Sequence, residues 1–182
     1  MPEYALFTME KFEEMLTGGH PNSLGRTVEV VDMVLEDQNR FEELYQCYFS
    51  QNEVVRLRTS NAMKRICKEE KKLLLPYVES FLNEISLLKQ ASAQWTLAQL
   101  FLELTPDLSQ EQKKKATEIL KYNLIHQTDW IVLNMTIKTL ATWSKKNNKL
   151  RDWLIPQLEY LEHDKRKSVS NNAKKTMKLL ES

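Results

Sequence analysis

A short motif returns in this chain at intervals of just under forty residues. Leu57-Arg58 followed by Asn61-Ala62, Gln94-Trp95 followed by Ala98, Leu133-Asn134 followed by Ile137, and Val169-Ser170 followed by Ala173 each sit in an apolar stretch with helical spacing. Their first residues are 37, 39 and 36 positions apart. A unit of that length is one helix pair, too small to bury its own apolar face, so successive pairs must stack and cover one another. The repeat therefore predicts an architecture, a solenoid of helix pairs, before it predicts any chemistry.

The scarcity of turn formers agrees with this. Three glycines and five prolines in 182 residues leave little material for the tight turns of an all-β fold, so the expected class is all-α. Apolar periodicity and cap signals place the helices. A capping helix over 2–17 is stopped by Gly18-Gly19. Asn22 or Ser23 is expected to cap the next helix, which carries Val28, Val31, Val34 and Leu35 and ends near 37–39. Its partner runs over 40–50 with Phe41, Leu44, Tyr45 and Tyr48 as its stripe. Asn52 caps a helix over 53–69 whose inward contacts are Val54, Leu57, Ala62, Ile66 and Cys67, and 71–86 forms its return helix with Pro76 in the first turns.

The third pair is predicted over 91–104 and 109–126, where Ser109-Gln110-Glu111-Gln112 has the form of a capping box. The fourth pair spans 130–144, capped by Thr128 or Asp129, and 149–163, linked by Asn147-Asn148. Pro156 is read as the counterpart of Pro76. A last helix over 168–180 has Val169, Ala173, Met177 and Leu180 inside and Lys174, Lys175 and Lys178 outside, a charged cap for the end of a stack. With no Gly/Ser-rich or low-complexity stretch, residues 1–182 are read as one domain.

Charge is distributed unevenly. Residues 1–54 carry net −8 and the remaining residues net +9, so the formal total of +1 conceals an acidic end and a basic end. Such a chain can hold an acidic partner on its basic part, associate weakly head to tail, or remain a monomer with solvated charged faces. No apolar run approaches the roughly 20 residues of a membrane span, and the first sixteen residues do not have the form of a secretory signal, which makes the expected location cytoplasmic. Cys47 and Cys67 are twenty residues apart, without metal-ligand spacing, and are expected to be reduced core thiols.

Catalytic templates fail one after another. There is no nucleophile elbow, no phosphate loop and no dinucleotide fingerprint, and His20, His126 and His163 lie in a turn or at helix ends. The adjacent carboxylates Glu13-Glu14, Glu36-Asp37, Glu42-Glu43 and Glu69-Glu70 diverge by about 100° on a helix and do not face one another across a cleft. No catalytic residue, cofactor or metal is expected.

The motif at Leu57-Arg58-Thr59-Ser60-Asn61-Ala62 and at Val169-Ser170-Asn171-Asn172-Ala173, with prolines in return helices, resembles that of HEAT-like, armadillo-type proteins, and more narrowly the small bacterial HEAT-like proteins without assigned activity. The resemblance covers about 23–182 and implies a right-handed α-α superhelix of about four stacked helix pairs plus capping helices. It also implies a non-catalytic protein-binding or scaffolding module in which second helices line a concave surface, and a stacking contact between Arg58 and a carboxylate of the neighbouring unit. Arg56, Lys113, Lys114, Lys121, Lys165, Arg166 and Lys167 are the candidate partner-binding residues. An alternative stays open: some HEAT-like proteins are alkylpurine DNA glycosylases, and Trp95, Trp130, Trp143, Trp153, Asp129 and the basic clusters supply the residue types for nucleic-acid contact.

Overall fold

Side-chain acceptors fix the starts of four of the longer helices. Asn52 Oδ1 accepts from the Val54 amide at 2.9 Å, Asp129 Oδ1 from the Ile131 and Val132 amides at 2.8 and 3.0 Å, and Asn147 Oδ1 from the Leu150 amide at 3.0 Å. Ser109 and Gln112 close the capping box in both directions, at 3.1 and 2.9 Å. Each bond satisfies an amide that the first helical turn leaves without a partner.

The computed structural model describes residues 9–181. Among them it contains α1 (Phe12–Met15), α2 (Thr27–Glu36), α3 (Phe41–Gln46), α4 (Glu53–Glu69), α5 (Val78–Asn83), α6 (Ala91–Glu103), α7 (Gln110–His126), α8 (Trp130–Ser144), α9 (Asn148–Leu161) and α10 (Lys167–Glu181), joined by short 3-10 turns and without a strand. Of the expected helix over 2–17, the first seven positions lie outside the described residues, and the described part contains α1. Two compact units divide the chain, Met1–Ile66 and Cys67–Ser182.

Within the first unit, α4 presents Val55, Arg58, Thr59, Ala62, Met63 and Ile66 inward, an uninterrupted stripe at helical spacing. The expected stripe was displaced by one residue at its start: Val54 and Leu57 are only half-buried, whereas Arg58 is 1% exposed. Among the described residues Arg58 bonds to backbone carbonyls and pairs with no carboxylate. Its guanidinium donates to the carbonyls of Leu16 (2.8 Å), Gly18 (2.6 Å), His20 (3.2 Å) and Ser23 (3.1 Å), gathering the whole loop over 16–23. The loop then passes so close that a Cβ on Gly25, whose φ is +51°, would stand 2.8 Å from Arg58 Cζ.

That geometry also explains why α2 begins late. Ser23 Oγ accepts from the Gly25 amide at 3.1 Å and so turns the chain without capping a helix; α2 starts at Thr27 with no side-chain cap. Val30, Val31 and Val34 face inward, while Val28 is exposed. A second arginine anchors α1: Arg40 lies 3.7 Å above the Phe12 ring and pairs with Glu43 at 2.6 Å, and Glu43 accepts from the Phe12 amide at 2.7 Å.

The second unit is built mainly from longer helices. α6 packs on α7 and α8, α8 on α7, α9 and α10, and α10 on α9. Leu97, Phe101, Leu120, Leu133, Ile137, Leu140, Leu154, Leu158, Val169 and Ala173 fill the space between them. Burying one such side chain contributes on the order of 1.5–3 kcal/mol. Thr139 Oγ1 donates across the α6–α8 contact to the Ala98 carbonyl at 2.7 Å.

The two prolines are not equivalent. Pro76 lies in the 3-10 turn Leu75–Tyr77 and delays α5 to Val78, so the return helix expected over 71–86 is a short α-helix between 3-10 turns. Pro156 lies in the interior of α9. Both Pro156 and Asp152, four residues earlier, are exposed, and the carbonyl that loses its helical donor there can be solvated.

Candidate functional site

Helix α7 carries four lysines, of which Lys114 and Lys115 are exposed and Lys113 and Lys121 half-buried. Because α7 packs against α8, and α8 against α9, the lysines of α7 face those that follow α8 across a groove of about 570 Å³. Lys113, Lys114 and Lys121 contribute from α7, and Lys146 and Lys149 from the α8–α9 turn and the start of α9. Among the described residues only Lys121 of the five is ion-paired, with Glu118 at 3.1 Å. Glu118 is also the one carboxylate lining the groove.

Tryptophans hold two of these cations in place. Lys113 Nζ lies 5.4 Å from the centre of the Trp143 ring, and Lys121 Nζ lies 5.0 Å from that of Trp153. The quadrupole of each ring favours the ammonium above its face, which restricts the long side chains while leaving their charge close to the surface. Trp143 is itself buried, and its Nε1 donates to Thr105 Oγ1 at 2.8 Å. The groove thus has an indole in its wall and lysines at its rim.

Three of the seven sequence-predicted residues, Lys113, Lys114 and Lys121, meet here. Lys146 and Lys149 were missed, although they flank the Asn147-Asn148 link; their partnership with α7 depends on packing that periodicity does not specify. Lys165, Arg166 and Lys167 do not line the groove. Arg166 is engaged elsewhere: it pairs with Asp164 at 2.6 Å and donates to the Thr128 carbonyl. This ion pair and its hydrogen bonds lower the Asp164 pKa to about 2. Arg56 belongs to the first unit, where it donates to the Ser50 carbonyl at 2.6 Å.

The other chemistry-bearing groups are accounted for structurally. Burial, followed by repulsion from Glu13 and Glu43, pushes the Cys47 thiol up to about 12, and burial, with repulsion from Glu103, pushes Cys67 up to about 11. Both cysteines are free and buried, and at neutral pH both remain thiols, poor nucleophiles and poor metal ligands. His20 Nδ1 accepts from the Asn22 amide, and His126 stacks beside Tyr122. No group of three or more potential metal-ligating side chains occurs among the described residues. No described helix is long and apolar enough to cross a membrane.

The chain matches no protein-family model and no curated protein sequence.

Proposed function

We propose that this chain is a non-catalytic protein-binding module, a HEAT-like solenoid of stacked helix pairs, whose lysine groove between α7 and α9 receives an acidic segment of a protein partner. The observation that carries this reading is the convergence of five lysines on one groove with a single carboxylate among them. Holding like charges close together costs energy in the free protein, and an incoming anionic segment relieves that cost. Ammonium groups on flexible stems suit carboxylates presented in several geometries, as in a protein tail.

Nucleic acid is the competing reading, and the geometry of the two tryptophans beside the groove lysines argues against it there; the exposed Trp130 does not line the groove. Single-stranded recognition needs an open ring face on which a base can stack. Trp143 is buried and Trp153 half-buried, and a lysine already lies over each. Fluorescence anisotropy of the full chain with a labelled poly-glutamate peptide and with a labelled single-stranded oligonucleotide separates the two. Tighter binding of the peptide, weakened at least tenfold by Lys114→Glu combined with Lys149→Glu, is expected; tighter binding of the oligonucleotide sinks the proposal.

A further inference from the structure

The helix that supplies the lysine groove has a second face with a different chemistry. Lys114, Thr117, Glu118 and Lys121 form one stripe along α7, and Lys115, Glu118, Ile119 and Tyr122 form the adjacent stripe, each at helical i, i+3, i+4, i+7 spacing. The two stripes share Glu118. Beyond the second stripe is a separate cavity of about 500 Å³, closed on its far side by the turn carrying Leu87 and Leu88. Its mouth is apolar: Leu87 is 76% exposed and Tyr122 61% exposed.

The chain maintains this exposed leucine at the tip of a fixed turn. Gln94, on α6, is 2% exposed, and its Nε2 lies 3.4 Å from the Ile85 carbonyl, 3.2 Å from that of Ser86 and 2.8 Å from that of Leu88. Asn123, also buried, donates from Nδ2 to Gln94 Oε1 at 2.9 Å and thereby fixes which end of the amide faces the turn. The same Asn123 lies on α7 one residue after Tyr122. A single buried amide pair thus clamps both walls of the cavity, the turn and α7. A partner meeting these walls loses little free energy to ordering them.

Lys89 and Lys115 stand at the rim, so this cavity has the same sign of charge as the lysine groove on the other side of α7. With Glu118 as the single carboxylate of its lining, an apolar opening flanked by two lysines selects an apolar side chain next to carboxylates.

From these features we infer that α7 is a ridge straddled by one partner segment, an acidic stretch with a bulky aliphatic residue: its carboxylates enter the lysine groove and the aliphatic side chain enters the Leu87–Tyr122 cavity. This deepens the protein-binding reading and rests on it. The lysine groove supplies charge recognition; the clamped cavity supplies selection among acidic sequences.

The test uses the full chain and two labelled peptides of equal length and charge, one repeating Glu-Glu-Leu and the other Glu-Glu-Ser, in anisotropy titrations at fixed ionic strength. The leucine peptide is expected to bind at least tenfold more tightly. Tyr122→Ala and, independently, Leu87→Ser should remove that preference while leaving the serine peptide's affinity within about twofold; both residues are exposed, and far-UV circular dichroism checks that the helices persist. Lys114→Glu combined with Lys149→Glu should weaken both peptides, whereas Lys174→Glu, an equally exposed change on α10, should weaken neither. Equal binding of the two peptides, unaffected by Tyr122→Ala, overturns the ridge inference and leaves the lysine groove standing. Failure of both peptides to bind overturns the protein-binding reading itself. Loss of self-association on Tyr122→Ala, with no peptide bound, assigns the ridge to a second copy of this chain and also overturns the inference.

Discussion

Each unit of the chain uses one buried polar side chain of a helix to gather the carbonyls of a preceding turn, but the two solutions differ in charge. In the first unit Arg58 collects four carbonyls from a loop whose neighbourhood holds all three glycines of the chain. In the second, Gln94 collects the carbonyls of a glycine-free 3-10 turn and is itself held by Asn123. Positive φ angles at Gly18 and Gly19 belong to a loop whose carbonyls converge from several directions, which suits a planar fork with five donors. The regular 3-10 turn over 85–87 aligns its carbonyls closely enough for one amide. The charged solution is more demanding: among the described residues no carboxylate pairs with Arg58, and carbonyl dipoles alone compensate its charge.

The largest expected effect comes from breaking the charged solution. Arg58→Met retains the aliphatic stem and removes every donor, leaving four loop carbonyls to find water or remain unpaired; about 3–5 kcal/mol of stability should be lost in urea unfolding. Arg58→Lys should recover less than half of that, because one ammonium cannot reproduce the spread of the guanidinium donors. Gly25→Ala attacks the same contact from the loop side, adding left-handed strain to a 2.8 Å approach at Arg58 Cζ. A loss below about 1 kcal/mol for Arg58→Met would mean that the loop is held by other contacts and that the two units do not differ in the proposed way.

The contrast between these residues also marks how far the sequence could be read. Helices with local start signals, at Asn52, Ser109, Asp129 and Asn147, were legible because a cap and its amides are neighbours in the chain. The buried stripe of α4 was legible only in part, because Arg58 resembles a surface residue until the carbonyls over 16–23 are known to surround it. Pro76 and Pro156 shared a spacing that suggested equivalence, but the geometry before Pro76 is 3-10, and Pro156 lies inside a helix with its vacant acceptor toward solvent. Within the lysine groove, the run Lys113-Lys114-Lys115 marked α7 as basic. Its division between two cavities, and the addition of Lys146 and Lys149, follow from how α7, α8 and α9 pack. The cavity beside Leu87 had no signal beyond an apolar pair before Ala91, because what creates it is the distant pairing of Gln94 with Asn123.

Breaking the neutral clasp should have a smaller and differently distributed effect. Gln94→Leu removes the donor shared by the 85–88 turn and leaves the Asn123 amide without its acceptor, for an expected loss of about 1–3 kcal/mol. Because the clasp also shapes the cavity, the leucine-bearing acidic peptide should lose affinity even at temperatures where the variant is folded. Asn123→Leu combined with Gln94→Leu should be less damaging than the sum of the single changes, since an apolar pair leaves neither partner amide stranded. Hydrogen exchange at the amides over 85–90 gives the local measure. Unchanged protection there in Gln94→Leu would show that the turn stands without the clasp.

A partly exposed ion pair completes the comparison and should have the smallest effect. Arg166 and Asp164 are arranged as close charge partners, as Arg58 and its carbonyls are not, yet Arg166 is about one-third exposed. The value of such a pair is typically below about 1 kcal/mol, and Asp164→Asn should cost no more than that. Its pH dependence has a definite sign. The folded protein holds Asp164 at about 2, below the roughly 3.9 of an unstructured aspartate, so the folded state favours the carboxylate. The stabilisation is therefore fully present above the unfolded value and declines as pH falls through about 2. The stability gap between the wild type and Asp164→Asn should narrow over that interval, whereas the gap produced by Arg58→Met should not track it, because the groups holding Arg58 are backbone carbonyls that do not titrate. A gap for Asp164→Asn that is constant from pH 5 to pH 2 would show that the asparagine variant loses a neutral hydrogen bond rather than an ion pair.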